Sequence, residues 1–523
     1  MLAAIRSAAV LGIEAYAVTV EVDAAKGLPQ FTLVGLAASA VKESRERVAA
    51  ALANTGFILP PRRITVNLAP ADVKKDGTAF DLPIALGLLV ATAQLSAESV
   101  ARHLFVGELG LDGTLRAIRG GVPIARHAAA VRDTVLVLPP QNADEAALVT
   151  GLPIAAPATL ADLVEQLRRN GATRAHLRPA PSRDASPATL DFADVVGQES
   201  ARRALEVAAA GGHNAILVGP PGAGKTMLAR RLPSIMPELT EAEALDVVAI
   251  HSVAGTLAAD ALAMRVRPFR APHHTISEAG LIGGGSLPRP GEVSLAHQGV
   301  LFLDEMLEFP RHVLEGLRQP MEDGRVVVAR AAASVTFPAR FTLVGAMNPC
   351  PCGHAGDAAK PCVCAAADVA RYRARLSGPL ADRIDMHVHV GAVPLRALGG
   401  AAAGEPSAAV RERVERARAA QRARFAALGL RGVRCNAHAP GRWLDTRTPV
   451  DRAARELLGA AAERLALSAR GYHRVLKVAR TVADLEGAET VTPASVAEAL
   501  RYRPANGDVA GVGVARAAGA RRV

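Results

Sequence analysis

The sequence predicts an α/β protein of several domains. An α+β block at residues 1–170 precedes a parallel α/β block at 191–397 and a helical block at 409–505. Three observations support this division. The chain has 523 residues, which exceeds one ordinary hydrophobic core. Apolar strands alternate with helical or looped segments in the middle block, as a parallel sheet requires. Stretches without an apolar period, residues 171–190 and 398–408, indicate linkers.

Hydrophobic periodicity identifies the elements of each block. In the first, "AYAVTVEV" and "RRITVNLA" alternate as strands do, while "ASAVKESRERVAAALANTG" has a helical pattern. In the middle block "NAILVG", "GVLFLDE" and "FTLVGAMN" are short apolar strands. The last block contains three helical segments, "AAVRERVERARAAQRARFAAL", "TPVDRAARELLGAAAERLAL" and "GYHRVLKVARTVADLEG", and ends in a basic tail at 506–523.

Charge is distributed unevenly along the chain. The net charge is +11, and from residue 405 onward 22 arginines and lysines face 12 acidic residues. Such an excess suits a polyanion partner, and it suits a solvated basic face equally well. Aromatic residues make up only 3% of the chain, so a base-stacking platform for nucleic acid is not expected.

The sequence predicts a cytoplasmic protein without a membrane partner. The N-terminal stretch meets Glu14 too early for a secretory signal and continues as a strand-like pattern. The apolar segment "LPIALGLLVATAQLS" is shorter than a membrane span and fits a buried helix. The compartment is therefore expected to be reducing, where a disulfide framework is improbable.

The segment "GPPGAGKT" predicts a phosphate-binding loop. It matches G-x4-G-K-[ST], follows the apolar strand "AILV" and leads into the helical segment "MLARRL". Glycines let backbone N–H groups curl around a phosphate, to which the helix N-terminus adds its dipole. Lys225 would reach the β and γ phosphates of ATP, and the Thr226 hydroxyl would bind Mg²⁺. The predicted nucleotide-binding residues are Gly219, Pro220, Pro221, Gly222, Ala223, Gly224, Lys225 and Thr226.

The segment "VLFLDE" predicts the second half of the same site. Its apolar strand delivers Asp304 and Glu305 at a carboxyl end, where open α/β sheets bind ligands. Asp304 would hold Mg²⁺ through water, and Glu305 would polarise the attacking water. A hydrophobic run ending in Asp-Glu is weak by itself, but its position about 80 residues after a P-loop makes it informative.

Three further residues are predicted to complete the site. Asn348 ends the strand "FTLVGAMNP" and could orient the attacking water. Arg383 in "SGPLADRIDMHV" is either a structural salt bridge or, as the order of elements favours, an arginine finger for a neighbouring subunit's ATP. Arg470 in "LSARGYHRVLK" would close on the same ATP, with a surface arginine beside Arg474 as the alternative.

Taken together, these motifs resemble an AAA+ ATPase of the magnesium-chelatase clade. The similarity is closer to the YifB family of that clade than to the chelatase motor subunit. Two segments decide this, "GLPQFTLVGLAASAVKESRERVAAAL" and "APHHTISEAGLIGGGSLPRPGEVSLAHQGVLFLDE". The resemblance covers essentially the whole chain. It implies a homo-hexameric ring with ATP at the subunit interfaces, acting as a DNA helicase for branch migration alongside recombination proteins.

The N-terminal block also resembles the Lon protease domain. In Lon-type enzymes a serine nucleophile follows "KDG" and a proline. In "KKDGTAFDLPIA" the aligned position is Ala79, so proteolysis is not expected. A scaffold, or a platform that binds DNA or a partner, is the remaining interpretation.

Four of the five cysteines fall in residues 349–365. Cys350, Cys352, Cys362 and Cys364 form C-x-C, nine residues, C-x-C, with His354 as a substitute ligand. In a reducing cell this spacing suggests a structural Zn²⁺ that holds an insertion with few apolar residues. Loose thiols or redox chemistry are the alternatives. Cys435 stands alone and is expected to pack as a small apolar residue.

The segment "GRVVVARAAASVTFPARF" alternates like a β-hairpin, and in related rings such hairpins line the pore. Arg325 and Arg330 would then contact phosphates, or they are solvated arginines of an ordinary hairpin.

The sequence thus predicts an ATP-dependent DNA motor. A metal-chelatase motor and a MoxR-like protein-remodelling chaperone are the alternatives.

Overall fold

The structure is a computed structural model. It describes residues 2–35, 41, 43–73, 75, 77–169, 173–176, 190–257, 266–285, 288–330, 333–356, 360–392, 404–430 and 432–504. The predicted basic tail at 506–523 lies outside these residues, as does most of the predicted linker at 171–190.

The N-terminal domain combines a twisted sheet with short strands and helices. Its strands are β1 (Leu2–Leu11), β2 (Glu14–Ala25), β3 (Gln30–Val34), β4 (Arg63–Ala69), β5 (His103–Phe105), β6 (Glu108–Leu109), β7 (Leu115–Arg116), β8 (Val135–Val137) and β9 (Ile154–Ala155). Its helices are α1 (Ser44–Asn54), α2 (Asp81–Ala91), α3 (Ala97–Val100), α4 (Gly121–Ala129), α5 (Pro140–Ala146) and α6 (Leu160–Arg168). The four-stranded sheet has the order β1-β2-β4-β3, in which only β3 and β4 run parallel.

Most of the apolar segment "LPIALGLLVATAQLS" forms helix α2. All of its residues are buried, and it packs against β1 and β2. A helix that is apolar all round belongs in a protein core or a membrane. At 11 residues it is too short for a span. Within the described ranges no helix has the length and apolar character needed to cross a membrane.

The central domain is built on a parallel sheet. Its strands and those of the adjoining ribbons are β10 (Ala215–Val218), β11 (Phe269–Arg270), β12 (Gly283–Gly284), β13 (Arg289–Pro290), β14 (Val300–Leu303), β15 (Arg325–Arg330), β16 (Ala333–Pro338), β17 (Thr342–Met347) and β18 (Met386–His389). The sheet order β11-β14-β17-β10-β18 is parallel throughout. Strands β10, β14 and β17 are fully buried, which explains their continuous apolar runs.

Helices cover both faces of this sheet and also support the β15–β16 hairpin. They are α7 (Glu199–Gly211), α8 (Lys225–Ile235), α9 (Glu241–Ala254), α10 (Glu278–Ile282), α11 (Glu292–Leu295), α12 (Arg311–Glu315), α13 (Arg318–Asp323), α14 (Ala366–Arg373) and α15 (Gly378–Ala381). Short 3₁₀ turns lie at Phe192–Asp194 and Met306–Glu308. The fold is therefore the P-loop α/β architecture that the sequence predicts.

The C-terminal domain is helical. It comprises α16 (Ser407–Ala427), a 3₁₀ turn at Asn436–His438, α17 (Gly441–Arg447), α18 (Arg452–Arg464), α19 (Ala469–Leu485) and α20 (Pro493–Arg501). Helices α16 and α19 pack on α7 of the central domain, so that their apolar residues join one continuous core. The Thr481 hydroxyl also lies 2.8 Å from the Nε2 atom of His213, just before β10.

Two predicted boundaries differ from the observed ones. Residues 173–176 remain with the N-terminal domain, because Ala175 pairs with Ala155 and the N–H of His176 donates to Ile154 O over 2.7 Å. At the other end, α16 begins at Ser407, inside the predicted linker 398–408. A count of Pro and Ser does not reveal that a few residues of such a stretch complete a sheet or open a helix.

Candidate nucleotide site

The P-loop has the backbone that its glycines permit. Gly222 and Gly224 have φ values of 77° and 87°, which favour glycine. A Cβ atom at Gly219 would lie 2.1 Å from the carbonyl oxygen of Val390, which no side chain could tolerate. The loop joins buried β10 to α8, whose first residue is Lys225. A strand, a tight loop and a helix N-terminus therefore form the expected phosphate cradle.

The Lys225 ammonium lies inside this cradle. It donates to Gly219 O at 2.7 Å, to Pro220 O at 2.9 Å and to Asn348 Oδ1 at 3.1 Å. Burial lowers the pKa of Lys225, and the charges of Asp304 and Glu305 oppose that shift. A phosphate in the cradle would give this ammonium an anionic partner in place of neutral carbonyls.

The candidate metal-binding half of the site lies at the end of β14, two strands from β10 in the sheet. The Thr226 hydroxyl donates to Asp304 Oδ2 over 2.7 Å. Asp304 directly follows β14, and Asn348 directly follows β17, so both project at the carboxyl edge beside the P-loop. A hydroxyl and a carboxylate are oxygen ligands of the kind that Mg²⁺ prefers when phosphates complete its shell. The residues present fit Mg²⁺ bound with ATP.

Glu305 has a strained backbone and a solvent-exposed side chain. Its φ of 49° lies in the left-handed region, and its side chain is 62% exposed. Non-glycine residues in that region cluster at functional sites. The His274 Nδ1 atom lies 3.9 Å from Glu305 Oε2, and its ring meets that of Phe309 edge-on. No motif in the sequence identifies His274, although it lies in "APHHTISEAG", which belongs to a segment that carries the family resemblance.

Arg383 lies away from this site within its own chain. It donates to Pro379 O at 2.7 Å and forms an ion pair with Glu322. The side-chain amide of Asn214, which precedes β10, donates to Arg383 O over 3.2 Å. The P-loop follows the other end of β10, so the whole strand separates Arg383 from its own Lys225.

Arg470 lies at the same end of the sheet as Arg383. It occupies the first turn of α19 and is exposed. One turn later Arg474 donates to Ile384 O at 3.3 Å and lies 3.5 Å from Asp382 Oδ1. Residues four apart share a helix face, so Arg470 is on the side of α19 nearest Arg383. The structure does not bring it to the P-loop of its own chain.

The four clustered cysteines converge. Cys350, Cys352 and Cys362 have sulfur separations of 3.3–3.6 Å, and with Cys364 all four sulfurs lie within 4.8 Å of one another. Tetrahedral sulfurs about 2.3 Å from Zn²⁺ would be about 3.8 Å apart, so the arrangement fits this metal. The backbone N–H of Ala355 donates to the Cys350 sulfur over 3.2 Å. The N–H of His354 is the largest cause that lowers the pKa of Cys352, to about 6.

The cysteine loop packs directly on the P-loop. Gly353 has a φ of 85°, and a Cβ atom there would lie 2.6 Å from Pro221 Cδ. Ala355 and Gly356 line a 370 Å³ cavity together with Gly219 and Pro220. The loop also begins directly after Asn348, the residue that contacts Lys225. The cysteine loop therefore adjoins the phosphate cradle at Pro221 and at Asn348.

Many arginines of the basic C-terminal block have partners inside the chain. On α16, Arg411 pairs with Glu238, Arg413 with Glu206, and Arg424 with Asp484. These pairs fasten α16 to the central domain and to α19. Part of the positive charge counted in the sequence is therefore paired with acidic side chains within the fold.

The hairpin has the alternation that the sequence predicts. Val326 and Val328 of β15 are buried, whereas Arg325 and Val327 are exposed. Arg330 ends β15, but its side chain lies outside the described part of the chain. Arg325 thus lies on the exposed face of the hairpin.

Three models of known families together match most of the chain. Residues 191–398 match the family described as "Magnesium chelatase, subunit ChlI". Residues 20–142 match "Subunit ChlI of Mg-chelatase", and residues 404–503 match its C-terminal family. The three matches fall in the three structural domains.

Individual relatives extend this similarity. The competence protein ComM of Haemophilus influenzae is 43% identical over 96% of this chain and 97% of its own length. The protein YifB of Salmonella typhimurium is 42% identical over the same shares. The magnesium-chelatase 38 kDa subunit of Rhodobacter capsulatus is 29% identical over 34% of this chain and 55% of its own.

Proposed function

Because the chain belongs to the magnesium-chelatase family of AAA+ ATPases, we propose that it is a hexameric ATP-driven DNA motor that promotes branch migration during recombination, as in natural transformation. The observation that carries this proposal is the similarity to a competence protein over nearly the full length of both chains. The chelatase subunit shares only about a third of this chain, which favours the DNA motor over a chelatase role.

The geometry of the carboxyl edge supports ATP hydrolysis. Lys225 would exchange its carbonyl partners for the β and γ phosphates, and Asn348 would hold the attacking water. Thr226 and Asp304 would hold Mg²⁺, which when bound neutralises charge that develops on the phosphates. Glu305, exposed at the same edge, would orient and deprotonate the water.

The position of Arg383 supports a site shared between protomers. Since β10 separates it from its own P-loop, Arg383 would serve the ATP of the next subunit, as an arginine finger does. Arg470 lies on the same side and would reach the same ATP. Such head-to-tail contacts form a ring when the rotation between subunits closes, and the number of six subunits is what the family resemblance implies.

We further propose that the N-terminal domain is a Lon-like fold without protease activity. Its α+β architecture is compatible with that fold. The position expected for the nucleophile is Ala79, whose carbonyl accepts the N–H of Gly107 at 2.9 Å. A methyl side chain cannot attack a peptide bond, so the domain would serve as a scaffold.

The DNA proposal predicts that branched DNA stimulates ATP hydrolysis. Four-way junctions should raise kcat above the basal rate, and binding should weaken steeply between about 50 and 200 mM salt, because Arg and Lys displace counterions from phosphates. The measurement is steady-state ATPase activity, with junction binding titrated for the wild type and Lys225→Ala. If forked and four-way DNA leave the ATPase rate unchanged, the result would instead favour a chelatase-like motor or a protein-remodelling chaperone.

We propose that Cys350, Cys352, Cys362 and Cys364 bind one structural Zn²⁺. Four protein ligands leave no open position for catalysis, so the metal would fix the loop that carries Gly353 against Pro221.

Removing two of these thiols is expected to release the metal. Cys352→Ser with Cys362→Ser should lower bound zinc from one ion per chain to none, lower Tm and raise KM for ATP, since the P-loop loses its support. Elemental analysis measures the zinc content, calorimetry measures Tm, and ATPase assays measure KM. Cys435→Ala, which changes the one cysteine outside the cluster, is the matched control and should keep its zinc. A double variant with wild-type zinc content would rule the site out.

A further inference from the structure

The N-terminal domain contacts the hairpin that is expected to face DNA. The turn between β1 and β2 places Gly12 against β16. Gly12 has a φ of 69°, and a Cβ atom there would lie 2.8 Å from Val335 Cγ1 and 3.5 Å from Thr336 O. The two chain segments therefore touch at van der Waals distance, although more than 300 residues separate them in sequence.

The next residue of the turn enters the core of the central domain. Ile13 is partly buried and packs on a cluster that includes Val335 and Phe337 of the hairpin. The same cluster contains Leu303, the last residue of the strand that delivers Asp304, and Met306 just beyond Glu305. One apolar side chain of the N-terminal domain thus adjoins a core that continues from the hairpin to the catalytic strand.

A second attachment holds the N-terminal domain in place. Helix α4 packs on α9 of the central domain, with Val122 in an apolar contact with Val248. Arg126 pairs with Asp246 at 2.9 Å, and the N–H of Gly120 donates to Ser252 O over 3.2 Å. Because α9 fixes the domain, the β1–β2 turn has a defined position relative to the hairpin.

The hairpin has free space beside this contact. A 680 Å³ cavity is lined by Glu14 beside the turn, by Asp246 of α9, and by Arg325 and Thr336 of the hairpin. The inner face of the hairpin is packed, since Val326, Val328 and Phe337 are buried in the core, so the open space adjoins its exposed residues. A ligand that binds Arg325 from this space would pull on a hairpin whose buried face is continuous with Ile13 and with the core around Leu303.

We propose that the β1–β2 turn positions the hairpin and thereby couples the polyanion on the hairpin to ATP hydrolysis. Gly12 and Ile13 are positioning residues in this scheme, since neither lies at the nucleotide. The coupling to hydrolysis rests on the proposed DNA function, whereas the positioning of the hairpin does not. In this view the N-terminal domain regulates the motor from outside the ring of ATP sites.

The first test examines positioning without DNA. In Ile13→Ala, backbone amides of the β15–β16 ladder should exchange hydrogen about tenfold faster, because the hairpin loses an apolar support. Val335→Ala, which removes the other side of the contact, should give the same change. Ile58→Ala is the matched control, since Ile58 is 77% exposed in the same domain and away from the hairpin. Unchanged exchange in both contact variants overturns the proposal.

The second test examines coupling with a four-way DNA junction as the probe. Ile13→Ala should lower the DNA-stimulated rate about two- to tenfold and leave basal hydrolysis unchanged. Ile13→Val, which keeps a branched side chain, should restore the stimulation. A parallel loss of basal and stimulated rates would overturn the proposal, since Ile13 would then serve only the core. If DNA fails to stimulate the wild type, the DNA function fails, and the exchange data still decide whether the turn positions the hairpin.

Discussion

Lys225→Ala is expected to reduce kcat for ATP hydrolysis by about 10²–10³-fold, because the charge that faces the transferred phosphate is removed. Among the described residues, no carboxylate lies within hydrogen-bond distance of the Lys225 ammonium. It is held by two backbone carbonyls and by the amide oxygen of Asn348. This arrangement leaves the charge available to a phosphate, and its loss removes stabilisation that grows as charge moves onto the leaving group.

The effect should be on chemistry and nucleotide affinity, with little change in folding. Alanine is a favourable residue at the start of α8, so Tm should stay close to that of the wild type. Lys225→Met, which keeps the volume without the charge, is the matched control and should be equally inactive. The measurements are steady-state ATPase rates, nucleotide binding and thermal unfolding. Appreciable hydrolysis by both variants would show that ATP is hydrolysed elsewhere.

Arg383→Ala is expected to reduce kcat about 10³-fold or more while nucleotide affinity changes little. An arginine finger acts on charge that develops in the transition state, so its loss affects kcat rather than binding. Within its own chain, Arg383 pairs with Glu322 at the end of the sheet opposite the P-loop. To reach a neighbour's ATP it must exchange Glu322 for a phosphate.

That exchange supplies a matched control for Arg383. Glu322→Gln frees the guanidinium without removing it and should keep or raise the ATPase rate. A structural salt bridge predicts the reverse pattern, in which both variants lose Tm equally and neither loses kcat specifically. ATPase kinetics and calorimetry on the two variants distinguish these outcomes. A wild-type rate of ATP hydrolysis by Arg383→Ala would show that Arg383 is not the arginine finger.

Local motifs identified residues that the fold brings together at the carboxyl edge of the sheet. The P-loop and "VLFLDE" each combine a buried strand with the residues that follow it. The chain itself therefore sets their geometry, as Lys225 and the Thr226–Asp304 contact illustrate. The convergence of the four cysteines could also be predicted from the sequence, since all four lie within one loop.

Contacts between distant segments could not be predicted in this way. The partner of Arg383 is an acid 61 residues earlier, and the hairpin meets a turn near the chain start. Neither contact leaves a pattern in the surrounding residues. The basic excess of the last block was also ambiguous, because a charge count does not show that Arg413 and Arg424 are bound within the fold.

A complementation assay tests most directly whether two protomers share each ATP site. Lys225→Ala and Arg383→Ala protomers, each inactive alone, are co-assembled in equal amounts. A working junction needs an intact P-loop from one variant and an intact Arg383 from the other. If Arg383 acts across the boundary and junctions are independent, about one quarter of the wild-type ATPase rate should return. If Arg383 acts within its own chain, no protomer in the mixture is complete and the rate stays at background, which would contradict a shared site.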